Sequence, residues 1–157
     1  MRYAHRSQES LISKLPANVM ILIDEAYHHF VSDTAAYRSF LEHPLDDPRI
    51  IVARTFSKIY GLAGLRVGYS VSSKEAAARL SALRLQNGVT IVSVKAAIAA
   101  LDDTAYVRMA AKRNSDDRQE FMNQVNARML RAIDSHANFV LLNPLRPVSE
   151  VIPHLEI

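Results

Sequence analysis

Five side chains with chemically useful groups lie in two short segments that follow apolar runs. They are a carboxylate, a phenol, a hydroxyl, an amine and a guanidinium: Asp24, Tyr27, Ser57, Lys58 and Arg66. An amine can form a Schiff base with a carbonyl compound, and a hydroxyl and a guanidinium together can hold a phosphate. A buried carboxylate can keep a ring nitrogen protonated, so that the ring withdraws electrons. The set therefore suits a small, aromatic, phosphorylated carbonyl compound.

Short strands are predicted to position these groups. Residues 19–23 form a continuous, largely β-branched apolar run, which predicts a strand buried on both faces. Residues 49–54 predict a second strand and residues 67–71 a third. Asp24 and Lys58 then follow the carboxyl ends of strands, where ligands of open α/β sheets collect. Three of the four glycines come shortly after Lys58, at positions 61, 64 and 68.

Helical patterns surround the strands. A short amphipathic helix is predicted at residues 4–15, and the turn-rich stretch 32–48 is a connection with a possible helical turn at 35–40. Further helices are predicted at 73–85 and 92–101, and then a helix of about 28 residues, about 40 Å long, that starts at Asp103 or Thr104. One side of this long helix is predicted to carry Tyr106, Met109 or Ala110, Arg113, Asp117, Phe121, Val125 and Met129. A last strand is predicted at 138–142.

Composition excludes several classes of protein. The 157 residues are 49% hydrophobic and 22% charged with a net charge of +3, and the basic residues are scattered, so we expect no nucleic-acid partner. The absence of cysteine excludes disulfides, thiolate metal sites and thiol catalysis. The run at 19–23 is far too short to span a bilayer, so we expect no membrane partner. A length near 150 residues by itself predicts one complete domain.

Three segments resemble a known family. They are ILIDEAYHHF at residues 21–30, RTFSKIYGLAGLRVGY at residues 54–69 and, more weakly, SHANFV at residues 135–140. They resemble the fold-type I pyridoxal-phosphate (PLP) aminotransferases, and most closely the histidinol-phosphate aminotransferase branch, which acts in histidine biosynthesis. The resemblance implies an α/β fold: a three-layer α/β/α large domain with a mostly parallel sheet, then a bridging helix and the start of an α+β small domain.

The resemblance also implies a role for each of the reactive residues. Lys58 would bind PLP as a Schiff base and move the proton at the substrate α-carbon. Asp24 would pair with the pyridine nitrogen, and Tyr27 would donate to the phenolic oxygen of the cofactor. Ser57 and Arg66 would hold the phosphate. The reaction implied is transfer of an amino group between a small amino compound, such as histidinol phosphate, and a 2-oxo acid.

The domain organisation implied is that of part of a larger enzyme. Residues 1–103 would be the central part of the PLP-binding domain, 104–134 an interdomain helix and 135–157 the start of the small domain. We expect the family's upstream phosphate loop and its downstream carboxylate-binding arginine to lie outside these residues. We also expect a homodimer in the cytoplasm for the full-length enzyme. Central strands without their sheet neighbours would expose apolar surface, so we expect the chain alone to be poorly stable, to aggregate or to pair.

Other interpretations stay open. A decarboxylase of the same fold, of the threonine-phosphate type, an aminotransferase of aromatic amino acids, or a non-catalytic remnant would show the same motifs. The apolar strand followed by Asp24-Glu25 also fits a P-loop ATPase. The 157 residues contain no phosphate-binding loop of that type. The adjacent His28 and His29 lack a third ligand at zinc-like spacing, so we expect no metal.

Four other polar or aromatic residues are predicted to have no catalytic role. Tyr60 is expected to be a packing residue and Tyr69 a strand residue near the core of the cofactor domain. His136 is expected on the surface or at an interface, and Asn138 is expected to be structural.

Overall fold

The computed structural model describes residues 3–31, 37–42 and 46–154, with side chains from residue 9 onward. Residues 32–36 and 43–45 of the predicted connection lie outside the described residues, and these include the first two residues of its possible helical turn at 35–40. The described part of that turn is not helical: residues 37–39 have no regular structure and residues 40–42 form a turn. The sheet has the order β1 (Ile21–Asp24), β2 (Ile50–Thr55) and β3 (Gly68–Ser72). β1 and β2 are parallel, and β2 and β3 are antiparallel. The predicted α/β class is confirmed, and the sheet itself is mixed.

One face of the sheet carries a hydrophobic core. Ile12 of the first helix, α1 (Tyr3–Lys14), packs with Phe40 against Ile50 and Val52. The opposite face is more open: Leu22 is 68% exposed among the described residues. The prediction that the run at 19–23 is buried on both faces is therefore wrong for this chain, because only one face of β1 meets α1 and Phe40.

The predicted helices are present with slightly different bounds. They are α2 (Lys74–Leu83), α3 (Ile91–Asp102) and α4 (Thr104–Ala127). The Ser73 side chain accepts a hydrogen bond from the Ala76 N–H, and Asp103 accepts one from the Tyr106 N–H, as expected for N-cap residues. α4 has 24 residues, fewer than predicted, and it is about 36 Å long.

The buried side of α4 agrees only in part with the predicted side. Met109 is 61% exposed and Phe121 is 43% exposed. Two residues of the predicted side are confirmed: Ala110 packs on the core, and Val125 is 4% exposed. Val107 and Ala111, which were not on the predicted side, also pack on the core. Two small alanines let the helix backbone pack closely against its neighbours, so the side of α4 that fits the core is not the side with the largest apolar side chains.

The chain beyond α4 forms a two-stranded antiparallel sheet. Its strands are β4 (Arg131–Ile133) and β5 (Leu141–Asn143), with Ala132 opposite Leu142. The predicted strand at 138–142 is thus displaced towards the carboxyl end, and β4 was not predicted. A last short helix, α5 (Val148–Val151), follows. None of the helices in the described residues is long and apolar enough to cross a membrane.

Candidate active site at the strand ends

The parallel pairing of β1 and β2 brings their carboxyl ends to one edge of the sheet. Asp24 lies opposite Ala53, and the Glu25 N–H extends the pairing by donating to the Ala53 carbonyl at 2.9 Å. Asp24 is exposed, and its Oδ1 accepts a hydrogen bond of 2.9 Å from the Ala26 N–H, which turns the chain away from the sheet. Lys58 follows β2 at the same edge, as predicted from the strand ends.

The clearest contact within the predicted set joins Tyr27 and Lys58. The Lys58 Nζ lies 5.2 Å from the centre of the Tyr27 ring, within the range of a cation–π interaction. Tyr27 is half-buried and precedes a short 3-10 helix, His28–Phe30. Lys58 is exposed, so its amine is open to a ligand from solvent. The structure therefore pairs an amine with a phenol at the sheet edge.

Ser57 and Arg66 lie on the loop that connects β2 to β3. The Ser57 N–H donates to Thr55 Oγ1 at 3.0 Å. Arg66 is exposed in the left-handed conformation, with φ of 49°, and its guanidinium donates to the Ala63 carbonyl at 2.8 Å. Within the described residues, no hydrogen bond joins Asp24, Ser57 or Arg66 to another member of the set. Their shared role stays a prediction.

A buried serine of α3 anchors this loop. The Ser93 side chain is 2% exposed and donates to the Leu65 carbonyl at 2.7 Å. Its hydroxyl is also 2.9 Å from that of Thr90, the N-cap of α3. Because Leu65 directly precedes Arg66, this anchor fixes the backbone from which the Arg66 side chain extends.

The glycine at the start of β3 meets a strict packing requirement. A Cβ atom on Gly68 would lie 2.8 Å from the Arg54 carbonyl oxygen of β2. Only glycine fits this approach without a backbone shift. Gly64, in the same loop, has no atom within 4 Å of the equivalent position. The glycine-rich loop seen in the sequence therefore contains one position that requires glycine, Gly68, and one that has room for a Cβ atom, Gly64.

A buried ionic network supports the edge and was not predicted as a unit. Glu25 is 5% exposed, and it accepts hydrogen bonds from Ser39 Oγ at 2.9 Å and the Phe40 N–H at 2.8 Å. Arg54 binds the same carboxylate through Nε at 3.1 Å and Nη2 at 2.9 Å. An arginine within an otherwise apolar strand was the one signal in the sequence that such a partner existed.

The charges of this network are stabilised by their contacts. Burial on its own raises the pKa of Glu25, but the Phe40 N–H, Arg54 and Ser39 together outweigh burial and lower the pKa. Burial likewise opposes the charge on Arg54, and the hydrogen bond with Glu25 is the main contact that raises its pKa. Both groups are therefore charged at neutral pH, and they hold the residue after Asp24 in place.

Two histidines follow Tyr27 in the 3-10 helix, and each forms a hydrogen bond with a tyrosine hydroxyl. His28 Nδ1 lies 3.1 Å from the Tyr37 hydroxyl, and His29 Nε2 lies 3.2 Å from the Tyr60 hydroxyl. Burial is the main cause that lowers the pKa of His28, and it lowers that of His29 to about 4 with help from His28 and Arg54. No cluster of metal-ligating residues occurs in the part of the chain that the structure describes. The histidines therefore act as neutral hydrogen-bonding groups.

The third motif meets the first through an aromatic contact. The rings of Phe139 and Tyr27 pack edge to face with centroids 5.2 Å apart. Asn114 and Arg118 of α4 each donate to the Ala137 carbonyl at 3.3 Å, which holds the Phe139 loop against the helix. His136 and Asn138, in the same loop, are exposed. Phe139 was not singled out from the sequence, although it lies within the weakest motif.

The chain matches the family model described as aminotransferase class I and II over residues 6–153. The histidinol-phosphate aminotransferase of Staphylococcus carnosus is 38% identical over 143 residues, which are 91% of this chain and 40% of that protein. Histidinol-phosphate aminotransferase 2 of Carboxydothermus hydrogenoformans is also 38% identical, over 94% of this chain and 41% of that protein. The chain therefore spans about 40% of the length of these relatives.

Solved structures agree with the sequence matches. A putative histidinol-phosphate aminotransferase from Erwinia carotovora atroseptica has a TM-score of 0.83 at 31% identity, covering 94% of this chain and 42% of that one. The Sinorhizobium meliloti histidinol-phosphate aminotransferase, solved in complex with PLP, has a TM-score of 0.78 at 34% identity, covering 87% and 36%. The predicted resemblance is thereby confirmed, and the chain belongs to the aminotransferase class I and II family.

Proposed function

We propose that this chain carries the cofactor-binding part of a PLP-dependent aminotransferase, with Lys58 as the residue that binds PLP. The observation that carries the proposal is the exposed Lys58 amine, 5.2 Å from the Tyr27 ring at the edge where two parallel strands end. Membership in the family and the PLP complex of the Sinorhizobium meliloti relative support the same conclusion.

The residues present fit PLP by their chemistry. A phosphorylated pyridine aldehyde needs an amine, a phosphate site and a carboxylate for its ring nitrogen, and Lys58, Arg66 and Asp24 supply them. The Asp24 carboxylate uses Oδ1 for the Ala26 N–H, and Oδ2 has no hydrogen bond within the described residues. It therefore retains an acceptor for a protonated ring nitrogen.

Each residue would have a separate task. Asp24 would accept a hydrogen bond from the ring nitrogen and favour its protonated form, while Tyr27 would donate to the phenolic oxygen. Ser57 and Arg66 would hold the phosphate by a hydroxyl and a guanidinium. Lys58 would hold the cofactor covalently and then, once a substrate amine replaces it, carry the proton to and from the substrate α-carbon. PLP supplies an electron-withdrawing ring that makes this proton acidic.

The substrates proposed are small molecules. The sequence relatives are histidinol-phosphate aminotransferases, which supports histidinol phosphate or a similar amino compound as donor and a 2-oxo acid as acceptor. The L-threonine-O-3-phosphate decarboxylase of Porphyromonas gingivalis is 20% identical, with a TM-score of 0.68, so its likeness shows a shared fold alone. We therefore propose transamination.

The organisation of the whole protein is part of the same proposal. We propose that residues 1–103 belong to the PLP-binding domain, 104–134 to the interdomain connection and 135–157 to the small domain. The end of α4 at Ala127 and the β4–β5 sheet support a change of structure in this part of the chain. A homodimer in the cytoplasm is proposed from the family resemblance.

Covalent binding of PLP tests this function directly. The 157-residue chain is incubated with PLP, reduced with borohydride and digested, and the modified lysine is identified by mass spectrometry. We expect PLP on Lys58 and none after Lys58→Ala. Lys74→Ala is the matched control, because Lys74 is also exposed but lies on α2, and it should leave the labelling unchanged. Equal labelling of several lysines, or labelling that survives Lys58→Ala, would reject the proposal.

A further inference from the structure

His29 and Tyr60 link the two segments that carry Tyr27 and Lys58. The Tyr60 hydroxyl lies 3.2 Å from His29 Nε2, and the two rings pack edge to face with centroids 5.1 Å apart. His29 comes two positions after Tyr27, and Tyr60 comes two positions after Lys58. The hydrogen bond therefore runs between the same two segments as the contact of the Lys58 amine with the Tyr27 ring.

Both partners are held firmly by their surroundings. Tyr60 is 9% exposed, and its ring packs on Phe56 with centroids 4.9 Å apart. His29 lies in the 3-10 helix His28–Phe30, whose Phe30 is buried in the same hydrophobic cluster as Tyr60. A hydrogen bond between two packed groups fixes the spacing of the elements that carry them.

The two groups are uncharged at neutral pH. The pKa of His29 is lowered to about 4 by burial first, then by His28 and Arg54, against an opposing effect of Glu25. Burial also raises the pKa of Tyr60, with Tyr69 acting in the same direction and Arg54 against it. A neutral imidazole has one donor and one acceptor nitrogen, so the hydroxyl and Nε2 can pair in either tautomer. The link therefore adds no net charge beside the Lys58 amine.

We propose that the His29–Tyr60 hydrogen bond positions the Lys58 amine against the Tyr27 ring. His29 and Tyr60 are then positioning residues that act through Tyr27 and Lys58, which goes beyond the packing role expected for Tyr60 from the sequence. The effect of this hydrogen bond on bound PLP rests on the proposed function. Its effect on the position of the Lys58 amine is independent of that function.

The first experiment measures the Lys58 amine without PLP. The chain is labelled briefly with acetic anhydride, and mass spectrometry gives the ratio of label on Lys58 to label on Lys74 in the same molecules. Tyr60→Phe removes only the hydroxyl, and His29→Leu removes the ring nitrogens. In each variant we expect the ratio to rise about two- to fivefold, because the amine is then no longer held in a cation–π contact with the Tyr27 ring.

Three further variants separate positioning from general loosening. His29→Gln keeps a polar atom near the place of Nε2 and should restore the wild-type ratio. The double variant of Tyr60→Phe and His29→Leu should show no larger rise than either change alone, because both remove one hydrogen bond. Tyr37→Phe is the matched control, since Tyr37 pairs with His28 of the same 3-10 helix and its segment does not carry Lys58.

The outcomes are distinct. An unchanged ratio in Tyr60→Phe, an additive rise in the double variant, or an equal rise in Tyr37→Phe would each overturn the proposal. With PLP attached, the circular dichroism of the cofactor band, divided by its absorbance, should be lower in Tyr60→Phe than in the wild-type chain. In His29→Gln it should equal the wild-type value. If the wild-type chain attaches no PLP, the proposed function fails, and the labelling ratio still decides whether the hydrogen bond positions Lys58.

Discussion

Two regions of the molecule differ sharply in how their side chains are buried. The strand-end corner, residues 24–30 and 54–69, contains Phe30, Phe56 and Tyr60 in one buried cluster. The helical segment, residues 74–102, buries only small side chains among those described: Ala76, Ser93 and Ala97. Its large apolar side chains are exposed, among them Leu83 at 84%, Leu85 at 82%, Ile91 at 68%, Val92 at 62% and Ile98 at 57%.

This difference shows that apolar composition and burial are separate properties. The corner combines apolar packing with hydrogen bonds for its buried polar groups, so contacts within the described residues hold the segments that carry the candidate site residues. The helical segment has regular capped helices but presents an apolar surface to its surroundings. We therefore expect changes in the corner to alter folding, and changes in the helical segment to alter association.

The largest expected effect is loss of the buried carboxylate in the corner. Glu25→Leu would leave Arg54 charged without its partner, and the two side chains are only 3% and 12% exposed. Removing one partner of a buried pair costs about 3–5 kcal/mol of unfolding free energy. Urea unfolding followed by circular dichroism measures the change. Asp116→Ala breaks the exposed Lys112–Asp116 pair and should have little effect. Similar losses of unfolding free energy in both variants would show that the buried pair in the corner contributes no more to stability than an exposed pair.

A change in the helical segment should weaken self-association. Ile91→Asp places a charge on the apolar surface of α3, and we expect about tenfold weaker association of the 157-residue chain, as judged by sedimentation at several concentrations. Ile133→Asp is the matched control, because Ile133 is also exposed, at 63%, but lies on β4. A monomeric wild-type chain with a sharp cooperative melt would contradict this expectation.

Two glycines of the same loop should respond differently. Gly68→Ala would bring a Cβ to 2.8 Å from the Arg54 carbonyl oxygen, and the backbone shift that follows should cost about 1–3 kcal/mol. Gly64→Ala meets no atom within 4 Å and should be near neutral or slightly stabilising. Thermal melts of the two variants test this directly. Equal destabilisation would mean that the approach of β3 to β2 is not a constraint on the corner.

The smallest effect expected at neutral pH is that of His29, which instead gives the stability a pH dependence. Its pKa in the folded chain is about 4, below the usual 6.5, so the folded state binds fewer protons between these values. The contribution is fully present above pH 6.5 and is lost as the pH falls towards 4. His29→Gln should reduce the change of melting temperature with pH between 4 and 6.5, because Gln does not titrate. His28 and Glu25 also titrate at acidic pH but remain in both proteins, so the difference between the two profiles reports His29 together with its coupling to His28. Parallel profiles would contradict the assignment.

Much of the local structure could be predicted from the sequence. The sequence indicated the strands near residues 21, 50 and 68, the start of a helix at Ser73, a cap at Asp103 or Thr104, and the family motifs. Each of these features depends on neighbours within a few residues. The placement of Asp24 and Lys58 at strand ends on one edge of the sheet also followed, since the carboxyl ends of parallel strands meet there. The contact of the Lys58 amine with the Tyr27 ring did not follow from the sequence. β4 was missed because a strand of three residues carries too little periodic signal.

The sequence by itself determined the family, the α/β class and the identity of the candidate site residues. Only the tertiary structure decided which side of α4 is buried, that Glu25 pairs with Arg54, and that His29 pairs with Tyr60. Arg54 and Tyr60 lie 29 and 31 positions from their partners along the chain. Such pairs form only when strand pairing and close packing bring distant residues together, and no local pattern records which polar groups will meet there.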